Sequence, residues 1–284
     1  MPGVEPTARR ATSGMRRIYP NLVSAVAAQQ IRRAVLEQSK RAHIGHIGSA
    51  LSIAELVAVL VDGTLDLDRG SDRRDRDRFV LAKGHAVLAW YCALHVAGRL
   101  TREQLDTFAC DGTLLAGHPE HVLDDVDFCT GSLGHGLSMG TGAALAARLQ
   151  RSERRVVVLL SDAECNEGAV WEAAMFAAQH RLENLTAVID LNGQQALGYT
   201  KDVLDLGPAM ADRWRTFGWD AVDVDGHDPE AIRGALDAPR KGSPRVLVAH
   251  TTFGRGVDYM ESQIRWHYMP MDDDEYASAV EQVG

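Results

Sequence analysis

Two oxygen-bearing side chains, Asp162 and Asn192, stand where they could hold a metal ion. Each follows a continuous apolar run, residues 156–160 and 185–191, and the two lie 30 residues apart. Such runs are typical of strands buried on both faces of a parallel sheet, and open parallel sheets bind ligands outside the carboxyl ends of their strands. Two hard oxygen ligands and a backbone carbonyl suit Mg²⁺. An aspartate after a strand also commonly caps the next helix, so the pair by itself leaves both interpretations open.

The elements that must position these side chains follow from the spacing of the apolar residues. Strands are predicted at 78–82, 156–160, 185–191, 220–224 and 245–249, and helices at 21–39, 52–60, 86–97, 139–149, 169–180, 207–217 and 229–237. Capping-box patterns at Ser52–Glu55 and Thr101–Gln104 predict two helix starts. Alternating strands and helices indicate an α/β fold, a doubly wound and mostly parallel sheet with helices on both faces.

Composition narrows the class of protein. The 284 residues include 30 Lys and Arg against 39 Asp and Glu, a net charge of −9, which lacks the basic footprint of a nucleic-acid binder. No apolar run is long enough to cross a bilayer, and residues 1–18 lack a secretory apolar core. The four cysteines form no C-x-x-C pair, which favours reduced thiols. We expect a cytoplasmic protein without nucleic-acid or membrane partners, with a flexible segment 1–18 and a single domain at 19–284.

The stretch around Asp162 resembles the thiamine-diphosphate motif of transketolases, in which G-D-G is followed about 30 residues later by Asn. Six further segments resemble motifs of that family and occur in its order: G-H-x-G at 45–48, R-D-R-F-x-L at 76–81 with G-H at 84–85, G-H-P-E at 117–120, T-G-x-L-G-x-G at 130–136, T-x-x-G-x-G at 251–256 and W-H at 266–267. The first motif also continues through 167–178. The resemblance covers residues 20–284.

The resemblance implies a role for each matching residue. Asp162, Asn192 and the main-chain carbonyl of Gln194 would bind Mg²⁺, or another divalent cation such as Ca²⁺ or Mn²⁺. The implied contacts to thiamine diphosphate come from His85 at the diphosphate and from Gly134, His135, Gly136, Ser161, Ala163, Glu164 and Asn192. The two glycines would let the backbone approach the cofactor because they have no Cβ.

Three more histidines and one glutamate receive catalytic roles from the same resemblance. His46, His118 and His267 would line the channel above the thiazolium ring as proton shuttles or as donors to sugar oxygens, a task that suits imidazole. Glu167 would join a carboxylate network across the subunit contact. The remaining histidines match no clear motif position and are interpreted as ordinary polar residues: His43, His95, His121, His180, His227 and His250.

The chain departs from the family pattern at two positions. Ser161 and Ala163 stand where the motif has glycines. A serine costs little if its φ is negative, whereas the methyl group of Ala163 could crowd the diphosphate or strain the turn. Because the metal ligands are retained, we expect cofactor binding to be preserved.

The resemblance is confined to the first of three transketolase domains. The glutamate that protonates the aminopyrimidine belongs to the second domain and matches no residue here. The hypothesis is therefore a diphosphate- and Mg-binding subunit of a two-chain transketolase, which transfers a two-carbon ketol unit from a ketose donor to an aldehyde acceptor. A partner chain would carry the aminopyrimidine-binding and C-terminal domains in an α2β2 assembly acting on sugars or sugar phosphates.

Other functions remain open at this point. They are a subunit resembling deoxyxylulose-phosphate synthase or a 2-oxo acid decarboxylase, a specialised biosynthetic two-carbon transferase, and a non-catalytic homologue. The segments at 117–120 and 170–178 resemble transketolase more closely than they resemble the synthase or the decarboxylase. Ser161 and Ala163, which replace glycines, favour both the specialised transferase and the non-catalytic homologue.

Overall fold

The computed structural model describes residues 21–68, 75–239 and 242–284. The predicted flexible segment 1–18 lies outside the described residues. Within them, no helix combines the length and apolar character needed to cross a membrane.

A five-stranded sheet forms the centre of the molecule. Its strands are β1 (Arg78–Leu81), β2 (Val156–Ser161), β3 (Leu185–Leu191), β6 (Asp220–Asp225) and β7 (Arg245–His250), in the spatial order β1-β2-β3-β7-β6. Every neighbouring pair is parallel, as the continuous apolar runs predict. The short strands β4 (Gln194–Gln195) and β5 (Gly198–Tyr199) form a separate antiparallel hairpin directly after β3.

Helices lie on both faces of this sheet. They are α1 (Asn21–Ala42), α2 (Ile47–Leu51), α3 (Ala54–Val59), α4 (Val87–Val96), α5 (Arg102–Leu105), α6 (His135–Leu149), α7 (Gly168–Gln179), α8 (Thr200–Val203), α9 (Met210–Thr216), α10 (Pro229–Asp237) and α11 (Asp273–Val283). A π-helical turn (Leu60–Thr64) follows α3, and 3₁₀ turns occupy Gly84–Ala86, Ala163–Asn166, Gly207–Ala209 and Ile264–His267. The predicted strands and long helices are confirmed, with boundaries that shift by a few residues.

The core has two halves because successive strand residues point to opposite faces. Val157 and Leu159 of β2 pack into the half formed with α1, α3 and α4. Val156, Val158 and Leu160 pack into the half formed with α6, α7 and α9. The predicted doubly wound α/β fold is therefore confirmed.

One of the two predicted capping boxes is wrong. Helix α3 begins at Ala54 without a side-chain cap, because the Ser52 hydroxyl donates to Asp190 Oδ2 at 2.8 Å and Glu55 pairs with Arg32 instead. The box at Thr101 and Gln104 is confirmed, with both of its reciprocal hydrogen bonds present. Ser52 and Glu55 each bind a buried residue that is distant in sequence, and these tertiary contacts outweigh the local capping pattern.

Helix α6 lies unusually close to the sheet, as its run of small residues predicts. A Cβ on Gly136 would come within 2.3 Å of the Ala82 Cβ, and one on Gly140 within 2.3 Å of Val158 Cγ2. Both distances are far below van der Waals contact. Glycine at these two positions sets the spacing between the helix and strands β1 and β2.

Candidate active site

A cavity of about 220 Å³ opens at the carboxyl ends of β1, β2 and β3. Its lining includes the following predicted site residues: His46, His85, His118, Ser161, Ala163, Asn192, Gln194 and His267. These residues come from segments far apart in sequence, and the parallel sheet brings them together at one edge. This is the edge at which the alternating fold is expected to bind a ligand.

The predicted metal ligands Asp162 and Asn192 lie side by side at this edge. Asp162 is buried, and its two carboxylate oxygens accept hydrogen bonds of 2.8 Å from the backbone N–H groups of Ala163 and Gly193. Burial, with a further contribution from the negative charge of Asp190, raises the pKa of Asp162 to about 7. The side-chain amide of Asn192 donates to Asp190 Oδ2 at 2.8 Å. This hydrogen bond fixes the amide group and therefore the direction of the Asn192 Oδ1 atom.

These residues fit a divalent cation. Asp162 is a buried carboxylate whose hydrogen-bond partners in the described part of the chain are backbone amides, so its charge has no direct cationic partner there. The side-chain amide of Gln194 is also buried, and neither its Nε2 nor its Oε1 has a partner among the described residues. A hard cation beside Asp162, Asn192 and Gln194 would meet the oxygen donors it prefers and would favour the ionised form of Asp162.

Sequence analysis overlooked a buried ion pair beneath this site. Lys83 and Asp190 have side chains that are 0% exposed, and Lys83 Nζ lies 2.5 Å from Asp190 Oδ2. The ammonium group also donates to the carbonyl of Ser49 at 3.2 Å and borders the cavity. Asp190 accepts a further hydrogen bond from Thr251, so the pair connects the ends of β1, β3 and β7. One sequence signal could have pointed to this ion pair: Lys83 stands directly between the predicted strand at 78–82 and the glycine-histidine pair at 84–85.

Three of the predicted histidines form a cluster among the residues that line the cavity. The ring centroid of His46 lies 5.1 Å from that of His85 and 5.2 Å from that of His267, and the centroids of His85 and His267 are 5.7 Å apart. His85 Nε2 lies 3.0 Å from the Ser49 hydroxyl. The Nδ1 atoms of His46 and His267 are buried without a hydrogen-bond partner among the described residues. All three histidines line the cavity, and two of them keep a buried ring nitrogen without a partner in the described part of the chain.

Burial keeps these rings uncharged at neutral pH. It lowers the pKa of His267 to about 4, with the charges of His46 and Lys83 acting in the same direction. It also lowers the pKa of His46, together with His118 and Lys83, and holds the pKa of His85 well below its ordinary value. A neutral imidazole carries one donor and one acceptor nitrogen, so each ring can both give and receive a hydrogen bond.

His118 reaches the cavity from a different loop. Residues 130–136, here called the glycine loop, pack directly beside the His118 ring. A Cβ on Gly131, whose φ is +137°, would lie 2.6 Å from His118 Cδ2. The Tyr91 hydroxyl donates to the His118 carbonyl at 3.3 Å. The G-H-P-E segment and the glycine loop are therefore in contact where they border the cavity.

Glu164 stabilises the glycine loop through a hydrogen bond to its backbone. Gly134, at a φ of +88°, donates its N–H to Glu164 Oε1 at 2.9 Å. Glu164 is fully buried, and burial raises its pKa to about 7. Packing alone accounts for both glycines, because a Cβ on Gly134 would lie 2.7 Å from the Glu167 Cβ and Gly136 faces Ala82. Cofactor contact at these glycines remains a prediction.

Six predicted site residues are not among the residues that line the cavity: Asp162, Gly134, His135, Gly136, Glu164 and Glu167. His135 and Glu167 are both exposed, His135 at the first position of α6 and Glu167 directly before α7. Exposure is consistent with the subunit-contact role predicted for Glu167. For His135 the described structure shows no contact with the cavity, and its cofactor role remains a prediction.

The two glycine replacements are accommodated without backbone strain. The Ser161 hydroxyl accepts the N–H of Glu164 at 3.0 Å. Neither Ser161 nor Ala163 is among the residues with positive φ. Ala163 therefore sits in the 3₁₀ turn in a conformation open to any residue, and its methyl group borders the cavity. The strained turn that the sequence left open is absent, whereas crowding of the diphosphate by the Ala163 methyl group stays a prediction.

Comparison with known proteins identifies the family. Residues 23–284 match the family model described as "Transketolase, thiamine diphosphate binding domain". The chain is 38% identical over 261 residues to an apulose-4-phosphate transketolase subunit of Phocaeicola vulgatus, covering 90% of this chain and 92% of that one. It is 35% identical to a 6-deoxy-6-sulfo-D-fructose transketolase subunit of Clostridium sp., covering 90% and 94%.

Solved structures and longer relatives agree with this match. The transketolase of Campylobacter jejuni superposes with a TM-score of 0.86 at 28% identity, over 93% of this chain and 43% of that one. Human transketolase is 35% identical over 86% of this chain and 39% of its own length. The chain thus spans about two fifths of these longer transketolases. From the family match and the strand-end cavity together, we conclude that this chain belongs to the transketolase family and carries its thiamine diphosphate binding domain.

Proposed function

We propose that this chain is the diphosphate- and Mg-binding subunit of a two-chain transketolase, which transfers a two-carbon ketol unit from a ketose to an aldehyde. The observation that supports this proposal best is the share of each relative's own length that the chain matches. Proteins named as transketolase subunits match over 92% and 94% of their own length, whereas human transketolase matches over 39%. A partner chain would supply the aminopyrimidine-binding and C-terminal domains, and an α2β2 assembly would place each active site between the two kinds of subunit.

In this proposal Asp162, Asn192 and the Gln194 carbonyl hold Mg²⁺, or Ca²⁺ or Mn²⁺ in its place. Thiamine diphosphate, when bound, supplies stabilisation of the carbanion at the transferred fragment. Lys83 presents a buried positive charge at the same edge, which favours an anionic group there. His85, which lines the same cavity as Lys83, would contact the diphosphate.

The remaining histidines act on the substrate side. His267 and His46 line the cavity, and burial lowers the pKa of both, so their neutral rings would bind sugar hydroxyl groups or hold a proton during transfer. His118 faces the same space from its own loop. The names of the relatives refer to different sugars, one a phosphate and one a sulfonate, so the proposal extends to sugars and sugar phosphates as a class.

Two further parts of the proposal concern organisation. We treat residues 19–284 as one domain, because the described residues share one central sheet. We place the assembly in the cytoplasm, a placement supported by the four free cysteines of the chain.

A non-catalytic homologue is the competing candidate, favoured by the Ala163 methyl group at the cavity wall. Calorimetric titration of thiamine diphosphate into the two-chain complex with Mg²⁺ distinguishes the two. We expect binding in the wild type and at least a 100-fold loss in Asp162→Ala, since losing even an outer partner of a metal ligand costs about 10- to 100-fold. Asp212→Ala, a surface change on α9, is the matched control.

The two-chain proposal has its own test in the transfer reaction. The co-expressed complex should transfer a two-carbon unit from a ketose donor, and neither chain should do so alone. Full activity of this chain alone would contradict the proposal. Absence of cofactor binding by the complex in the presence of Mg²⁺ would favour the non-catalytic candidate.

A further inference from the structure

A second group of chemically active side chains lies at the surface, outside the cavity. Glu120, His121 and Cys129 place their ligand atoms within 4.8 Å of one another. Cys129 Sγ lies 2.9 Å from His121 Nδ1, and the thiol donates to Glu120 Oε2 at 3.1 Å. None of the three is among the residues that line the cavity described above. We propose that they form a zinc site, with a fourth coordination position open to water.

The chemistry of the donor set selects the metal. Thiolate and imidazole ligands favour Zn²⁺ over Mg²⁺, which prefers oxygen and keeps several waters. The oxygen-rich group at Asp162 and Asn192 has the opposite preference. The chain would therefore carry two cation sites that discriminate between hard and borderline metals by ligand type.

The distances allow a small adjustment to a tetrahedral site. With Zn–S of about 2.3 Å and Zn–N of about 2.0–2.1 Å, neighbouring ligand atoms in a tetrahedron are about 3.5 Å apart. The present separations of 2.9 and 3.1 Å would open by about half an ångström. The side chain of His121 is exposed, which leaves room for that movement. Binding converts the Cys129 thiol to the thiolate and releases its proton to solvent.

Both ligand-bearing segments are already anchored. On one side of Cys129, Asp127 pairs with the buried Arg76 at 2.7 Å; on the other, the Thr130 hydroxyl donates to the Leu81 carbonyl of β1 at 2.6 Å. The Glu120 segment is held through the His118 carbonyl, which accepts a hydrogen bond from Tyr91. Binding would therefore require little ordering of the backbone.

The location gives the site a structural consequence. Glu120 lies two residues after His118, and Cys129 lies two residues before Gly131, so the ion would join the two segments that meet at the cavity wall. A zinc ion here would fix the position of His118 relative to the glycine loop. The inference is independent of the proposed function, because it depends only on these three side chains.

Cobalt titration of the full chain tests the site, with excess Mg²⁺ present to occupy the oxygen-ligand site. We expect one Co²⁺ per chain with a thiolate-to-metal charge-transfer absorption that stoichiometric Zn²⁺ displaces. Cys129→Ser should abolish this absorption, and His121→Asn should weaken binding by about tenfold or more. Cys110→Ser is the matched control, because Cys110 is also exposed but its thiol lies beside the Arg41 guanidinium rather than beside a metal ligand.

Hydrogen exchange provides a second measurement on the same proteins. Zn²⁺ should slow exchange across residues 117–133 in the wild type and in Cys110→Ser, and have no effect there in Cys129→Ser. The proposal is overturned if the wild type shows no thiolate charge transfer at stoichiometric Co²⁺. It is also overturned if Cys129→Ser retains the absorption or Cys110→Ser loses it.

Discussion

The two sides of the cavity differ in how the chain builds them. The carboxylate side (Asp162, Glu164 and Asn192) comes from the ends of two adjacent strands and the turn between β2 and α7. The histidine side (His46, His85, His118 and His267) is assembled from four separate loops and turns. Burial favours the neutral form of groups on each side by opposite shifts: it raises the pKa of Asp162 and Glu164 to about 7 and lowers that of His267 to about 4.

This comparison shows what one environment does to acids and bases. Desolvation penalises the charged form of either group, so the acids retain protons and the imidazoles lose them. Lys83 and Asp190 are fully buried as well, and their side chains form a direct ion pair at 2.5 Å. Breaking a buried ion pair by removing one partner leaves an uncompensated charge, so the loss of Lys83 should have the largest effect.

Lys83→Met should destabilise the protein by about 3–5 kcal/mol, because it leaves Asp190 buried without its cation. Urea unfolding measures the change. Adding Asp190→Asn to this variant should restore part of the loss, since the stranded charge is then removed. Unfolding of Lys83→Met at the wild-type urea concentration would show that the pair does not hold the two sides together.

The opposite shifts predict opposite pH dependence between pH 4 and 7 in the absence of divalent cations. The His267 pKa is about 6.5 unfolded and about 4 folded, so the unfolded chain binds more protons and stability is lost as the pH falls through this window. The Asp162 pKa is about 3.8 unfolded and about 7 folded, so the folded protein binds more protons and stability is lost as the pH rises. In the wild type the two trends oppose one another.

Single substitutions separate these trends. His267→Gln removes the histidine contribution, so its stability should fall with rising pH more steeply than that of the wild type, by about 2–3 kcal/mol across the window. Asp162→Asn should show the opposite change, with stability falling less steeply with rising pH than that of the wild type, because one of the two carboxyls with a raised pKa is removed. Urea unfolding at several pH values measures both slopes, and His180→Gln, outside the cavity, should keep the wild-type slope. Parallel profiles for all three variants would refute the opposed shifts.

Ala163→Gly should have the smallest effect. Because Ala163 does not need a positive φ, glycine gains nothing in the folded state and costs about 0.5–1 kcal/mol through the unfolded chain. Removing the methyl group from the cavity wall should leave cofactor affinity and activity unchanged or raised. Urea unfolding and calorimetric titration of the same variant measure the two effects, and weaker cofactor binding would show that the methyl group contributes a useful contact.

The carboxylate side was more accessible to sequence reasoning than the histidine side. Asp162 and Asn192 follow continuous apolar runs, and the geometry of parallel strands then requires them to be neighbours. The histidines were separated from ordinary polar residues only by resemblance to a family, because no local pattern brings four loops together.

Contacts between residues that are distant in sequence could not be predicted from local patterns. Lys83 contacts Asp190 across 107 positions, and Ser52 contacts the same carboxylate across 138, so neither pairing leaves a local signal. His121 was interpreted as an ordinary polar residue, and Cys129 as a simple reduced thiol, because a separation of eight residues matches no common ligand spacing.

The contact of Gly136 and Gly140 with the sheet bears on how the substrate range of this scaffold could be altered. A side chain at either glycine would collide with Ala82 or Val158, so the position of α6 against the sheet tolerates little change. Changes in substrate range, whether natural or engineered, would therefore come from the loops that carry the histidines. Libraries aimed at new sugars should therefore be concentrated at the positions flanking His46, His118 and His267, with the helix left untouched.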